Sequence, residues 1–325
     1  MPDPKKRYCL ALDVGGTFVK SALIASDGAS IVDSFRTTPI DQGSAESILG
    51  TLAGAMASNF ELARERDLEV TGIGISIAGP FDTERGISFM KHKLGPICGL
   101  NLKQEFVRRL GLREDFLIRF EPDAWAFLRG EAWLGAGRGY HRIIAATIGT
   151  GLGSAFMANG TVMVEGHGVP PFGWLGGLPY EAGILDSRIS RSGIISRYRE
   201  LAGENAPDLD VKEIAALGLE QANKTSLQVF REVGAILGSV LRPIASEFEP
   251  DCIVFGGQIS KSFSLFAEPL RRELRSVPTL REVTEGRSID LSALFGATQV
   301  LFGPKTRPVV ELDEQTLRAL GALWD

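Results

Sequence analysis

The sequence predicts an α/β protein made of two similar halves, each a mixed sheet covered by helices. Three observations carry that expectation. An apolar strand, a glycine-rich turn and a second apolar strand occur twice, over residues 10–23 and 143–158. Between and after them helix and strand patterns alternate, as in a sheet packed under helices. The chain has 325 residues, enough for two domains of ordinary size.

The first strand is the apolar run Leu10-Ala-Leu-Asp13, which ends on a carboxylate and turns on Gly15 and Gly16 into a second strand. Residues 30–37 read as a strand. Residues 44–66, opened by Asp41-Gln-Gly-Ser44 and rich in Ala and Leu, read as a helix. Strand returns at 70–77, helix at 102–110, strand at 116–120 and helix at 123–133. From Arg142 the opening repeats, through the turn Gly149-Thr150-Gly151-Leu-Gly153 to Asn159-Gly160, the dipeptide of a two-residue hairpin turn. A helical section covers 189–248, and Pro243 must kink its long helix or lie near its end. Asp251-Cys-Ile-Val-Phe-Gly256-Gly257 is a strand running into a glycine turn, 291–302 is a closing helix, and 313–320 is a short acidic helical piece. The expected domains are 1–122 and 123–302, with a tail at 303–325 and the closing helix free to pack back on the first domain.

Composition sets the class. Hydrophobic residues make 44% and charged residues 23%, the profile of a soluble globular protein. A net charge of −5 argues against a nucleic-acid-binding surface, and the one compact basic run, Lys5-Lys6-Arg7, reads as a solvated chain start. No apolar stretch approaches the ~20 residues of a membrane span, and the start lacks the apolar core of a signal peptide, so the expectation is a cytoplasmic protein without a membrane partner. Cys9, Cys98 and Cys252 are odd in number and far apart, which reads as reduced thiols.

Both glycine turns suit a phosphate. Glycines fit a tight hairpin and, lacking side chains, let phosphate oxygens approach main-chain N–H groups, with Thr17 adding a hydroxyl. Asp-x-Gly-Gly alone is equally an ordinary hairpin. The second cluster, Gly149, Gly151 and Gly153, shifts the balance towards a two-domain nucleotide clamp. A dinucleotide fingerprint needs a helix directly after its glycines, whereas Ser-Ala-Phe-Met after Gly153 reads as strand. A glycine-lysine-hydroxyl phosphate loop is also missing. Asp123, at a strand-to-helix junction, is either a general base or a helix N-cap, a position that Asp fills well.

Taken together these segments resemble the ROK family of repressors and sugar kinases, within the larger sugar kinase, Hsp70 and actin superfamily. The first phosphate motif resembles Asp13-Val-Gly15-Gly16-Thr17-Phe-Val-Lys20, and the mid-domain motif resembles Gly79-Pro80-Phe81-Asp82. The catalytic motif falls on Pro122-Asp123-Ala124, the second phosphate motif on Gly149-Thr150-Gly151, and the adenosine-side pair on Gly256-Gly257. The resemblance implies two ribonuclease-H-like domains around a central cleft, ATP with magnesium held by Asp13 through water, phosphoryl transfer to a sugar hydroxyl with Asp123 as base, and a homodimer.

The departures lie on the sugar side. Where the family carries a Gly-Glu-x-Gly-His segment beside a zinc site, this chain reads Gly173-Trp174-Leu175-Gly176-Gly177. With three histidines in all and no cysteine between Cys98 and Cys252, the usual four-ligand zinc site cannot be built. The family's Leu-Glu-x-x-x-Ser falls on Leu185-Asp186 to Ser190, and the Asn before the catalytic Asp is Pro122, which has no amide donor.

Two readings follow. One is a kinase whose acceptor differs from glucose or N-acetylmannosamine, with Gly79, Pro80 and Trp174 against the sugar and Glu181, Asp186 or His167 as polar contacts. His167 is equally a surface loop residue. The other is a nucleotide-binding sensor of the same fold. A protein released from catalysis has no physical need for Asp123 beside both phosphate hairpins, which favours the kinase. The repressor branch places a DNA-binding domain before the first motif, where seven residues precede Tyr8. An ATPase doing conformational work would not need Asp123.

Overall fold

The structure is a computed structural model that describes residues 6–91, 93–204 and 206–303. In chain order the first elements are β1 (Arg7–Val14), β2 (Phe18–Ala25), β3 (Arg36–Pro39), α1 (Ala45–Glu65), β4 (Glu69–Ile77), β5 (Phe81–Asp82), β6 (Ile87–Ser88), α2 (Leu102–Leu110), β7 (Ile118–Pro122) and α3 (Asp123–Leu134). There follow β8 (Arg142–Ile148), β9 (Leu152–Ala158), β10 (Thr161–Met163), β11 (Pro179–Tyr180), β12 (Gly183–Ile184), α4 (Asp186–Ile189), α5 (Arg191–Ala202) and α6 (Val211–Gln221). The last are α7 (Lys224–Phe248), β13 (Cys252–Gly256), α8 (Phe263–Leu274), β14 (Glu282–Glu285) and α9 (Ser292–Phe302). The expected helical piece at 313–320 and the tail beyond 303 lie outside the described residues.

The described chain forms two compact units, residues 6–134 with 291–303, and residues 135–290. The sheet of the first runs β3-β2-β1-β4-β7 and that of the second β10-β9-β8-β13-β14. The two orders are the same plan. In each, an antiparallel opening hairpin is followed by two further strands parallel to its first strand. The turn between β9 and β10 is the expected one: Asn159 and Gly160 have φ of 49° and 79°, the left-handed pair of a two-residue hairpin.

The period of two along β1 builds both faces of the first sheet. Leu10 and Leu12 point into a core with Ile73, Ile75, Phe120 and residues of α1, while Cys9 and Ala11 point to the opposite face against Leu294 and Ala297 of α9. Burial pushes the Cys9 thiol up to about 12, so it stays an inert thiol. Ser44 caps α1 by accepting the Ser47 N–H at 3.0 Å, as its position predicts. In the second unit Ile144, Ile148, Phe156 and Phe255 pack beneath α7 and α8. α7 passes through Pro243 and ends at Phe248, so the proline lies near its end.

The units divide between Leu134 and Gly135, not after Pro122. α3 stays with the first unit because it packs on α9. The two helix backbones touch: a Cβ on Gly130 would stand 1.9 Å from the Ser292 carbonyl oxygen, and one on Gly296 would stand 1.7 Å from that of Ala126. Such an approach is open only to glycine.

Candidate functional site

In the first unit, β1 delivers Asp13 to a turn spanning Gly15 to Thr17. Asp13 faces Lys20 across the hairpin and Ser76 across the parallel pair, and the Ser76 hydroxyl donates to Asp13 Oδ1 at 2.9 Å. The Gly15 N–H closes the turn on the Phe18 carbonyl at 3.0 Å, and a Cβ there would come within 3.1 Å of that oxygen. Neither Gly15 nor Gly16 has a positive φ, so close approach, not handedness, makes the first of them glycine. Two of the turn's carbonyls are engaged within the unit: that of Thr17 takes the Ile40 N–H at 2.8 Å, and that of Gly16 takes the Gln42 amide. Its donors are not. The consecutive N–H groups of Gly16 and Thr17 have no acceptor among the described residues.

The turn of the second unit repeats this arrangement. The Gly149 N–H bonds the Gly151 carbonyl at 3.0 Å, the Gly149 carbonyl takes the Arg191 N–H at 2.8 Å, and the N–H groups of Thr150 and Gly151 have no acceptor among the described residues. Consecutive turn N–H groups without internal acceptors are the kind of donors that an anion takes. At Gly149 the protein itself has no need of glycine, because φ is not positive and a Cβ would meet nothing within 4 Å. At Gly257 it does, since φ is 81° and a Cβ would stand 2.3 Å from the Ile148 carbonyl oxygen. That contact seats the Gly256–Gly257 turn against the end of β8, where Gly256 pairs with Thr147.

Asp123 opens α3 directly after β7. Its Oδ1 accepts the Ala124 N–H at 2.8 Å, and the carboxylate makes no other hydrogen bond or ion pair among the described residues. An N-cap bonds an N–H two or three residues on, so the capping alternative is not what the side chain does. On either side of it a buried pair pins strand to helix: Arg129 Nε donates to Glu121 Oε1 at 2.6 Å, with the side chains 9% and 2% exposed. Breaking such a pair costs about 3–5 kcal/mol.

The expected sugar contacts are placed as follows. Gly79–Pro80 is a cis peptide after β4, and the Pro80 carbonyl takes the Phe89 N–H at 3.0 Å. Trp174 and Asp186 both engage Leu152, the residue that follows the second turn. The indole N–H donates to the Leu152 carbonyl at 3.0 Å, and Asp186 Oδ1 accepts the Leu152 N–H at 2.5 Å. The Trp174 ring lies on Gly177, where a Cβ would stand 2.5 Å from Cε3. Glu181 pairs with Arg188 at 3.0 Å, and His167 Nδ1–H donates to the Glu247 carbonyl at 3.2 Å; neither is bonded to the second turn.

Two features escape the sequence. A cavity of about 510 Å³ is lined by Arg191, Ser192, Ile195, Arg199, Asp210 and Glu213. Arg191 joins it to the second turn through its N–H on Gly149, and its Nε pairs with Asp210 at 2.9 Å. In the first unit the stem of Lys93 lies along Gly16. Neither has a local motif, because both arise from residues brought together by the fold.

The ROK family model matches residues 9–288, and the chain belongs to that family. It is 25% identical to a glucokinase of Thermotoga maritima over 323 residues, covering 91% of this chain and 98% of that one. Among solved structures it resembles a ROK family glucokinase from Streptomyces griseus in complex with glucose and AMPPNP, with a TM-score of 0.73 and 22% identity over 90% of this chain and 98% of that one. It also resembles a ROK family transcriptional regulator, a homolog of the E. coli MLC protein, with a TM-score of 0.75 and 20% identity over 98% of this chain and 81% of that one. These structures show that the fold is the two-domain fold of the family. No helix among the described residues is long and apolar enough to cross a membrane.

Proposed function

We propose that the protein is an ATP-dependent kinase that transfers the terminal phosphoryl group to a hydroxyl of a sugar other than glucose. The observation that carries this reading is the pair of glycine turns, each with two of its carbonyls engaged and two adjacent N–H groups without an acceptor among the described residues. Family membership and the glucokinase relatives support it. The acceptor differs because Pro122, Trp174 and Gly177 stand where the family's sugar contacts fall.

In this reading Gly15, Gly16 and Thr17, with Lys20 behind them, hold phosphate oxygens from the first unit, and Gly149, Thr150 and Gly151 from the second. Gly256 and Gly257 carry the adenosine end, with the cavity beside Arg191 as the pocket for the base. Asp123 keeps one carboxylate oxygen unengaged and accepts the acceptor hydroxyl's proton. Gly79, Pro80 and His167 or Glu181 line the acceptor. Trp174 and Asp186 act on it through the second turn. Asp13 fits a magnesium ion held mainly by water and phosphate, since a single carboxylate steadied by Ser76 is the ligand set such an ion takes. Bound there, the ion would neutralise phosphate charge. A homodimer in the cytoplasm completes the proposal.

The test is magnesium-dependent ADP release from ATP across hexoses, amino sugars, N-acetylated sugars, pentoses and polyols. Turnover with one sugar well above that with glucose is expected. ATP binding without turnover on any of them would favour the sensor.

A further inference from the structure

Lys93 lies between β6 and α2 and has no part in the roles assigned above. Its Cγ is 3.7 Å, and its Cβ and Cδ are each 3.9 Å, from the point where a Cβ on Gly16 would stand. Three carbons of its stem therefore run alongside the first turn. With Cδ in this place the ammonium, two bonds further on and about 2.5 Å away, lies within about 6.4 Å of that point. Lys93 is half-buried, yet it makes no hydrogen bond or ion pair among the described residues.

A partly desolvated cation without a partner is costly unless something arrives to pair with it. Here it stands beside two N–H groups, those of Gly16 and Thr17, that also lack acceptors. The three donors together describe a site for a dianionic or more highly charged oxyanion.

We propose that Lys93 is a catalytic residue that contacts the terminal phosphate of ATP on the first turn. The inference rests on the kinase reading. In the transfer, the bond from the terminal phosphorus to the bridging oxygen breaks and its electron pair leaves with ADP. The acceptor oxygen forms the new bond to phosphorus, and its proton passes to Asp123. Lys93 takes no part in the proton transfer, and its positive charge stabilises the negative charge spread over the transferring group. A lysine suits this place, because a compact point charge can follow the phosphorus as it moves from donor to acceptor.

The test compares wild type with Lys93→Met, which keeps the stem along Gly16, and with Lys93→Arg, which keeps the charge. ATP and ADP affinities are measured by calorimetry without acceptor, together with kcat and the thermal midpoint. For Lys93→Met the expected result is an unchanged midpoint, unchanged ADP affinity, a tenfold or greater loss of ATP affinity, and kcat lower by about 10²-fold or more. Lys93→Arg should recover part of both losses. An unchanged preference for ATP over ADP in Lys93→Met overturns the proposal, as does an equal fall in ADP affinity with a lowered midpoint, which would mark Lys93 as packing. If wild type binds ATP but phosphorylates no sugar, the kinase reading fails while the ATP-to-ADP ratio still decides Lys93.

Discussion

Gly149 separates a ligand's demand from the fold's. Its φ is not positive and its missing Cβ would meet open space, so Gly149→Ala should leave the thermal midpoint within about 1 °C of wild type. In the proposed kinase a methyl group there would stand in the way of a phosphate on the turn, so ATP affinity should fall at least tenfold by calorimetry. Asp186 allows the complementary comparison. Its carboxylate holds the Leu152 N–H at 2.5 Å. Asp186→Ala should therefore weaken ATP binding and leave the acceptor KM nearly unchanged, while Asp186→Asn, which keeps an acceptor oxygen, should restore most of it. A sugar ligand would give the opposite split, with acceptor KM raised and ATP affinity kept.

At the scale of elements, the contact of α3 with α9 decides where the first unit ends. A Cβ on Gly296 would stand 1.7 Å from a carbonyl oxygen, so Gly296→Ala must separate two packed helices. The expected cost is about 1–3 kcal/mol or more, read as a lowered midpoint in denaturant unfolding. α6 makes a second prediction. Asp210 is its N-cap, in a capping box with Glu213, and the Arg191 guanidinium beside it holds the Asp210 carboxyl below the usual carboxylate range. A carboxyl depressed in the folded state contributes stability that is present above its unfolded value and lost as pH falls through its folded value. The wild-type thermal midpoint should thus drop more steeply below about pH 4 than that of Asp210→Ala, a variant already less stable at neutral pH by about 0.5–2 kcal/mol.

Across the whole molecule, the duplicated plan was legible because each half opens on a period-two apolar strand and a glycine turn, and both signals are local. The two glycine hairpin turns were legible for the same reason. The division between units was not, because what fixes α3 in the first unit is Gly130 and Gly296 meeting helices far apart in sequence, and a glycine inside a helix pattern gives no hint of its partner. That Trp174 and Asp186 both reach Leu152 was not legible, since only the fold brings them beside that residue. The cavity beside Arg191 and the stem of Lys93 on Gly16 are likewise matters of spatial adjacency. The central claim, that the free carboxylate oxygen of Asp123 drives phosphoryl transfer, is tested most directly by measuring turnover and ATP affinity of Asp123→Asn against wild type with the sugar that gives turnover. The account predicts turnover lower by about 10²-fold or more with ATP affinity unchanged. Turnover close to wild type would contradict it.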